Sequence, residues 1–164
     1  MIMLTKVDTE GRPVSIALAR TTERDEMEAR IKAAVEHVAE KVHNLGADTL
    51  TVALTAAANA PVAANSVLAD LTQISYTNCS PRVLTISSSS QTAGVYKLVL
   101  ADLVLTATGG SVGPFRYVVV YNDTPTSPAD PLIGFYDRGS DITLADGDSL
   151  TIDFSPTNGV LQIT

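Results

Sequence analysis

Tryptophan is absent from the sequence and cysteine occurs once, at Cys79. A lone cysteine excludes an intrachain disulfide and fits a cytosolic site of assembly. The missing tryptophan removes the commonest platform for stacking a sugar ring. Cations are also scarce: 11 Lys and Arg stand against 18 Asp and Glu, a formal net charge of −7. Proteins that grip phosphate backbones do so by displacing counterions with Lys and Arg, so neither a nucleic acid nor an anionic membrane is an expected partner. No apolar stretch approaches the roughly 20 residues that span a bilayer. The start, MIMLTKVDTEG, has too short an apolar run for a signal peptide. A soluble protein is expected.

What the sequence has instead is apolar mass with little charge. In 164 residues, 45 % are hydrophobic and only 18 % are charged, below the usual quarter. The length suits one full core, or one core plus an appendage. A surface with so few charges is expected to be covered in part by other subunits, which points to a homo-oligomer.

The charges divide the chain in two. Residues 1–45 carry eight acids, both Asp and Glu, with seven Lys or Arg. From 46 to 164 all ten acids are aspartate, and the basic residues are Arg82, Lys97, Arg116 and Arg138. Glutamate suits helices, whereas the short aspartate side chain bonds nearby backbone and suits turns. Residues 1–45 are therefore read as an N-terminal hairpin and helix, a packing or docking element. Residues 46–164 are read as a β body.

In the first unit, residues 2–7 and PVSIALA (13–19) form a short hairpin across the turn TEGR. A helix of about 22 residues follows, some 33 Å long at 1.5 Å per residue. Thr22 with Asp25 or Glu26 offers capping chemistry, and Asn44 and Gly46 supply the stop. Met27, Ile31, Val35, Val38 and Val42 recur at spacings of three and four and make one apolar stripe. The stripe is read first as packing on the protein's own sheet. A coiled-coil seam between copies is the other reading, but about two heptads fall short of the three or four that such a seam needs. Ile31, Val35, Val38 and Val42 are accordingly interface candidates.

From Asp48 onward the period becomes two. In TLTVALT (49–55), Leu50, Val52 and Leu54 face one way; in SLTIDFS (149–155), Leu150, Ile152 and Phe154 do. Further strands are expected at 82–87, 94–100, 102–108, 114–122, 131–137, 141–144 and 159–163, punctuated by turn residues. Residues 55–66 read as a long surface loop. The expected fold is mainly β: an antiparallel β-sandwich of about eight strands, with one long N-terminal α-helix preceded by a short hairpin.

The stretch GGSVGPFRYVVVYNDT (109–124) invites a phosphate-loop reading. It lacks the Lys-Ser/Thr of such a loop, and a strand rather than a helix follows its last glycine. Read as a central strand, Phe115, Tyr117, Val119 and Tyr121 share one face, and Arg116, Val118 and Val120 the other. Arg116 is then expected to pair with an aspartate of a neighbouring strand, at a sheet edge or a subunit interface.

Other chemistry is sparse. His37 and His43 lie six positions apart in the expected helix, on different faces and without a cysteine or HExxH partner, so zinc is not expected. No nucleophile-elbow pattern occurs, and nothing in the sequence activates Cys79. Asp137, Asp141, Asp146 and Asp148 cluster in DRGSDITLADGDS (137–149) and could offer oxygen ligands to calcium. Their spacing misses the EF-hand loop, and Asp-Gly hairpin turns explain them. No catalytic residue, cofactor or metal site is assigned.

The residues from about 41 to 164 resemble a family of small structural proteins of tailed bacteriophages. The resemblance is carried by VHNLGADTLTVALT (42–55), LADLTQISYTN (68–78), QTAGVYKLVLADLVLTATGGSVGPFRYVVVYNDT (91–124) and DPLIGFYDRGSDITLADGDSLTIDF (130–154). Residues 1–40 depart from the family pattern. The resemblance implies a non-enzymatic virion protein, either capsid decoration or another head- or tail-associated component. Its partners would be other virion proteins (capsid or tail subunits), and it would be assembled in the host bacterial cytoplasm. The alternative is a receptor- or glycan-binding tip of a tail or head fibre, although no repetitive shaft is present.

Overall fold

The computed structural model describes residues 37–38 and 40–163. Among the described residues eight strands are present: β1 (Leu50–Thr55), β2 (Ile86–Thr92), β3 (Val95–Leu100), β4 (Leu103–Thr106), β5 (Val112–Asn122), β6 (Leu132–Leu144), β7 (Ser149–Ile152) and β8 (Leu161–Ile163). Two single turns of 3-10 helix, Ala57–Asn59 and Leu68–Asp70, lie between β1 and β2.

The expected sandwich with a long N-terminal helix is not what is found. The strands form three small antiparallel sheets, ordered β1-β5-β6, β2-β3-β8 and β4-β7. Among the described residues there is no long N-terminal helix, and helical backbone is confined to His37–Val38 and two short 3-10 turns. The described helical backbone ends at Lys41, whose φ of 63° is left-handed. Val42 N–H donates to the His37 carbonyl at 2.7 Å and Lys41 N–H to the Val38 carbonyl at 3.2 Å. That is the Schellman pattern, with lysine in the place glycine usually takes. The helical backbone therefore stops before Asn44 and Gly46, the residues expected to end it. Asn44 instead opens a new turn, its carbonyl accepting from Ala47 and Asp48 N–H. The expected hairpin, the rest of the expected helix, Ile31 and Val35 lie outside the described residues.

The sheet β1-β5-β6 is buried on both faces, as a central apolar strand requires. Leu50, Val52 and Leu54 of β1 join Phe115, Val118 and Val120 of β5 in the main core, with Leu98, Leu100 and Leu105 from the other two sheets and Phe154 from the segment after β7. Ala53, Val119, Tyr121 and Leu132 form a smaller cluster on the opposite face, covered by Leu68 and Leu71. Phe115 thus sits with Val118 and Val120, not with Val119 and Tyr121 as simple alternation predicts. A register shift between Phe115 and Tyr117 resets the parity of the strand.

The glycine-rich run also differs from its reading. β5 begins at Val112, so Gly113 lies inside the strand with a φ of +123°. A Cβ there would stand 2.7 Å from the Ile142 carbonyl of β6, too close for any side chain. Residues 131–137 and 141–144 are one continuous strand, and the strand expected at 82–87 begins only at Ile86.

Candidate functional site

Arg116 faces the point where β6 makes an excursion. Phe115 pairs with Ile142 and Tyr117 with Asp137, so four residues of β6 (138–141) oppose Arg116 alone. Arg116 spans this gap with two parallel bonds: Nε to Asp137 Oδ1 at 2.7 Å and Nη2 to Asp137 Oδ2 at 2.6 Å. The fork matches the carboxylate plane, the geometry in which an arginine pair is strongest. Asp137 Oδ1 also accepts from Gly139 N–H at 2.7 Å and so fixes the turn at the head of the excursion. The Arg116 bond, aided by Gly139 N–H, holds the Asp137 carboxyl below its ordinary range. The neighbouring-strand aspartate expected for Arg116 is therefore Asp137, and the pair braces a bulge.

A second group of polar side chains collects at the far end of β5. Asn122 is fully buried. Its Oδ1 accepts from Thr124 N–H at 3.1 Å, which fixes the amide so that Nδ2 faces the other way. Nδ2 donates to Asp48 Oδ2 at 2.6 Å and contacts His43 Nδ1 at 3.1 Å. With the amide nitrogen as donor, His43 Nδ1 must accept, and the imidazole proton sits on Nε2. Asp48 Oδ2 also accepts from Asn44 N–H at 2.7 Å, closing the turn after the Lys41 reversal. His37 and His43, expected on different faces, meet edge to face with ring centroids 5.2 Å apart. The chain reversal between them brings them together. Neither His37 Nδ1 nor His43 Nε2 has a hydrogen-bond partner among the described residues. Burial, reinforced by the neighbouring His37, lowers the His43 pKa from 6.5 to about 4, with Asp48 opposing.

The outer edge of β1 is closed by backbone and side chains of residues 73–84. Val52 N–H donates to the Arg82 carbonyl at 3.0 Å, Leu84 N–H to the Leu50 carbonyl at 2.8 Å, and Leu54 N–H to Tyr76 Oη at 2.8 Å. Arg82 lies 3.6 Å over the Tyr76 ring and reaches the Val52 carbonyl. Tyr76 Oη in turn donates to Gln73 Oε1 at 2.9 Å. Tyr76→Phe leaves a buried strand amide without its acceptor and should lower unfolding stability by about 1–2 kcal/mol in urea titrations. A change under a few tenths would show that solvent replaces the hydroxyl.

The remaining candidates separate. Asp148 accepts from Ala145 N–H within its own turn, whereas Asp141 accepts from Ala57 N–H and Asp146 from Gly109 N–H, two braces to distant backbone. These three and Asp137 do not converge, and among the described residues no three His, Cys, Asp or Glu side chains are placed to hold a metal ion. Cys79 is half-buried, and burial pushes its thiol pKa up, away from an activated thiolate. Val38 packs partly against the main core, and Val42 is half-buried. A shallow groove of about 400 Å³ lies on the outer face of β2-β3-β8, lined by Ser88, Ser90, Thr92, Val95, Lys97 and Gln162. Sequence reading passed over this groove and the His43–Asn122–Asp48 group. The one signal for the groove was the run of serines, which alternate in and out once it is a strand.

No family model matches the chain, and no curated protein or solved structure matches it either. Among the described residues no helix is long and apolar enough to cross a membrane.

Proposed function

We propose that this chain is a non-enzymatic structural protein of a tailed-bacteriophage virion. Capsid decoration is the preferred role, with another head- or tail-associated position as the broader class. It would work through contacts with other virion subunits and with further copies of itself. One observation carries the reading: the side chains with the most chemical potential are spent on bracing. Arg116 spans a bulge, Asn122 and Asp48 tie the entering chain to the β5 end, and Arg82 and Tyr76 close an edge. Such a body presents rigid surfaces rather than a reaction centre. The resemblance over residues 41–164 supplies the particle. Electron microscopy of purified particles, with copy number from quantitative mass spectrometry, tests it. Many copies in an icosahedral or tail-symmetric arrangement are expected, and absence from the particle defeats the reading.

The hydroxyl- and amide-lined groove on β2-β3-β8 favours one second reading, a glycan-binding fibre tip. A few copies at fibre ends, together with glycan-array binding lost in Lys97→Ala, would select it over decoration.

A further inference from the structure

The edges of the three sheets are not treated alike. The outer edge of β1 is closed by residues 74–84. β6 is long, but its exposed part carries Asp137, Arg138 and Asp141. β7 has four residues set between Asp148 and Asp153, and β8 has three. The seven residues of β2, ISSSSQT, carry neither a charge nor a proline. Among the described residues no backbone bond reaches the outer edge of β2 between Ser88 and Thr92. Charges, lysines and prolines are the usual means of stopping edge-to-edge pairing, and β2 has none of them.

The charge distribution points the same way. Residues 83–101 and 155–163, which contain the whole of β2-β3-β8, include no acidic residue, in a chain of net charge −7. Two copies approaching by the exposed edges of β6 or β7 bring aspartates together, and β8 offers only three residues to pair. Approaching by β2, they do not.

The hairpin geometry says which groups are offered. Thr92 pairs with Val95 across the two-residue turn Ala93-Gly94, with φ values of 51° and 88°. A two-residue turn of this primed type is closed by a doubly bonded pair. Thr92, Ser90 and Ser88 then direct their N–H and C=O toward β3, and Ser89 and Gln91 direct theirs to the open side.

We propose that β2 is a self-association edge. The β2 strands of two copies pair antiparallel about a two-fold axis at Ser90 and join two three-stranded sheets into one of six. Ser89 of each copy meets Gln91 of the other, and Ser90 meets Ser90. Every cross-strand pair is then small or neutral, with hydroxyls able to bond each other and no like charges opposed. This inference stands on the edge and its charge alone, and holds whether or not the virion reading does.

The test is sedimentation equilibrium of the full chain from micromolar to near-millimolar concentration, with hydrogen exchange at both ends of that range. A monomer–dimer equilibrium is expected, with the Ser89 and Gln91 amides gaining protection as concentration rises. Gln91→Pro removes one open-edge donor per copy and leaves the β3 ladder intact, so it should weaken association about tenfold or more. Ser90→Lys, an exposed substitution that keeps every backbone donor, should do the same by opposing two ammonium groups. Circular dichroism establishes that each variant is folded. A monomer at all concentrations would overturn the proposal, as would a dimer indifferent to both substitutions. So would protection of Ser89 and Gln91 that does not change with concentration, because it would assign the edge to residues of the same chain.

Discussion

Asn122→Ala should destabilise the fold by about 2–4 kcal/mol, more than the truncation of any other polar side chain in the β1-β5-β6 sheet. The asparagine occupies the last position of β5, with its side chain fully buried. Three groups depend on it: Thr124 N–H, Asp48 Oδ2 and His43 Nδ1. Alanine leaves the histidine nitrogen without its donor and removes the bond that ties the Asp48 carboxylate to β5. Orphaned buried polar atoms carry their full desolvation cost, which is why the loss exceeds that of one ordinary hydrogen bond. Asn122→Asp sharpens the test. It keeps the shape but sets a second carboxylate against Asp48, at a contact now 2.6 Å long. That variant should be worse than alanine at pH 7 and should recover as the pH falls and one carboxyl takes a proton. Chemical denaturation followed by circular dichroism measures both. A loss under about 1 kcal/mol for alanine would mean that the network is incidental.

Stability should also fall as the pH drops from about 6.5 to about 4, by up to roughly 3 kcal/mol, through His43 alone. Its pKa is 6.5 when exposed and about 4 in the fold. Between those values the unfolded chain binds a proton that the native state refuses, so acid favours unfolding throughout the window. Below about 4 both states are protonated at this site and the effect levels off. The depressed Asp137 acts in a different range. Its contribution is present above the ordinary carboxyl pKa of 3.8 and is lost only as the pH falls through its lower native value. The two are therefore separable. His43→Gln should flatten the upper part of the stability–pH curve and leave the lower part in place. An unchanged slope between pH 4 and 6.5 in that variant would rule His43 out as the source.

How far these features could be read from the sequence depends on how local their causes are. β1 and β7 announce themselves because Leu50-Val52-Leu54 and Leu150-Ile152 alternate with small polar residues, and period two is a property of the strand itself. β2 did not, because four serines in succession give no apolar alternation. Its real marker was the Ala93-Gly94 pair, where a two-residue turn joins it to β3. The end of the helical backbone was misplaced for a similar reason. Asn44 and Gly46 are the expected stop residues by propensity, yet Lys41 takes the left-handed position, and the reversal there brings His43 to Asn122. Tertiary contact overrode local preference there. Arg116 was legible as an ion pair because a lone cation in an apolar strand, in a body rich in aspartate, needs a partner. That the partner spans a four-residue excursion was not, since register shifts leave no periodic trace. The His43–Asn122–Asp48 group was invisible for a plain reason: its members are scattered along the chain and only the folded sheet brings them together.

That scattering has a consequence in time. Asp48 and Asn122 stand 74 positions apart, and although residues 82–84 close the outer edge of β1, its inner edge has no partner until β5 exists. At 5–20 residues per second, a ribosome needs roughly 3–13 s to supply the whole of that partner after β1 itself is made. Through that interval Leu50, Val52 and Leu54 wait without their strand, and non-local pairing of this kind is the slow step of folding. The protein's yield in a cell should therefore depend on what shields one six-residue strand before its mate emerges, as well as on the stability of its finished sheets.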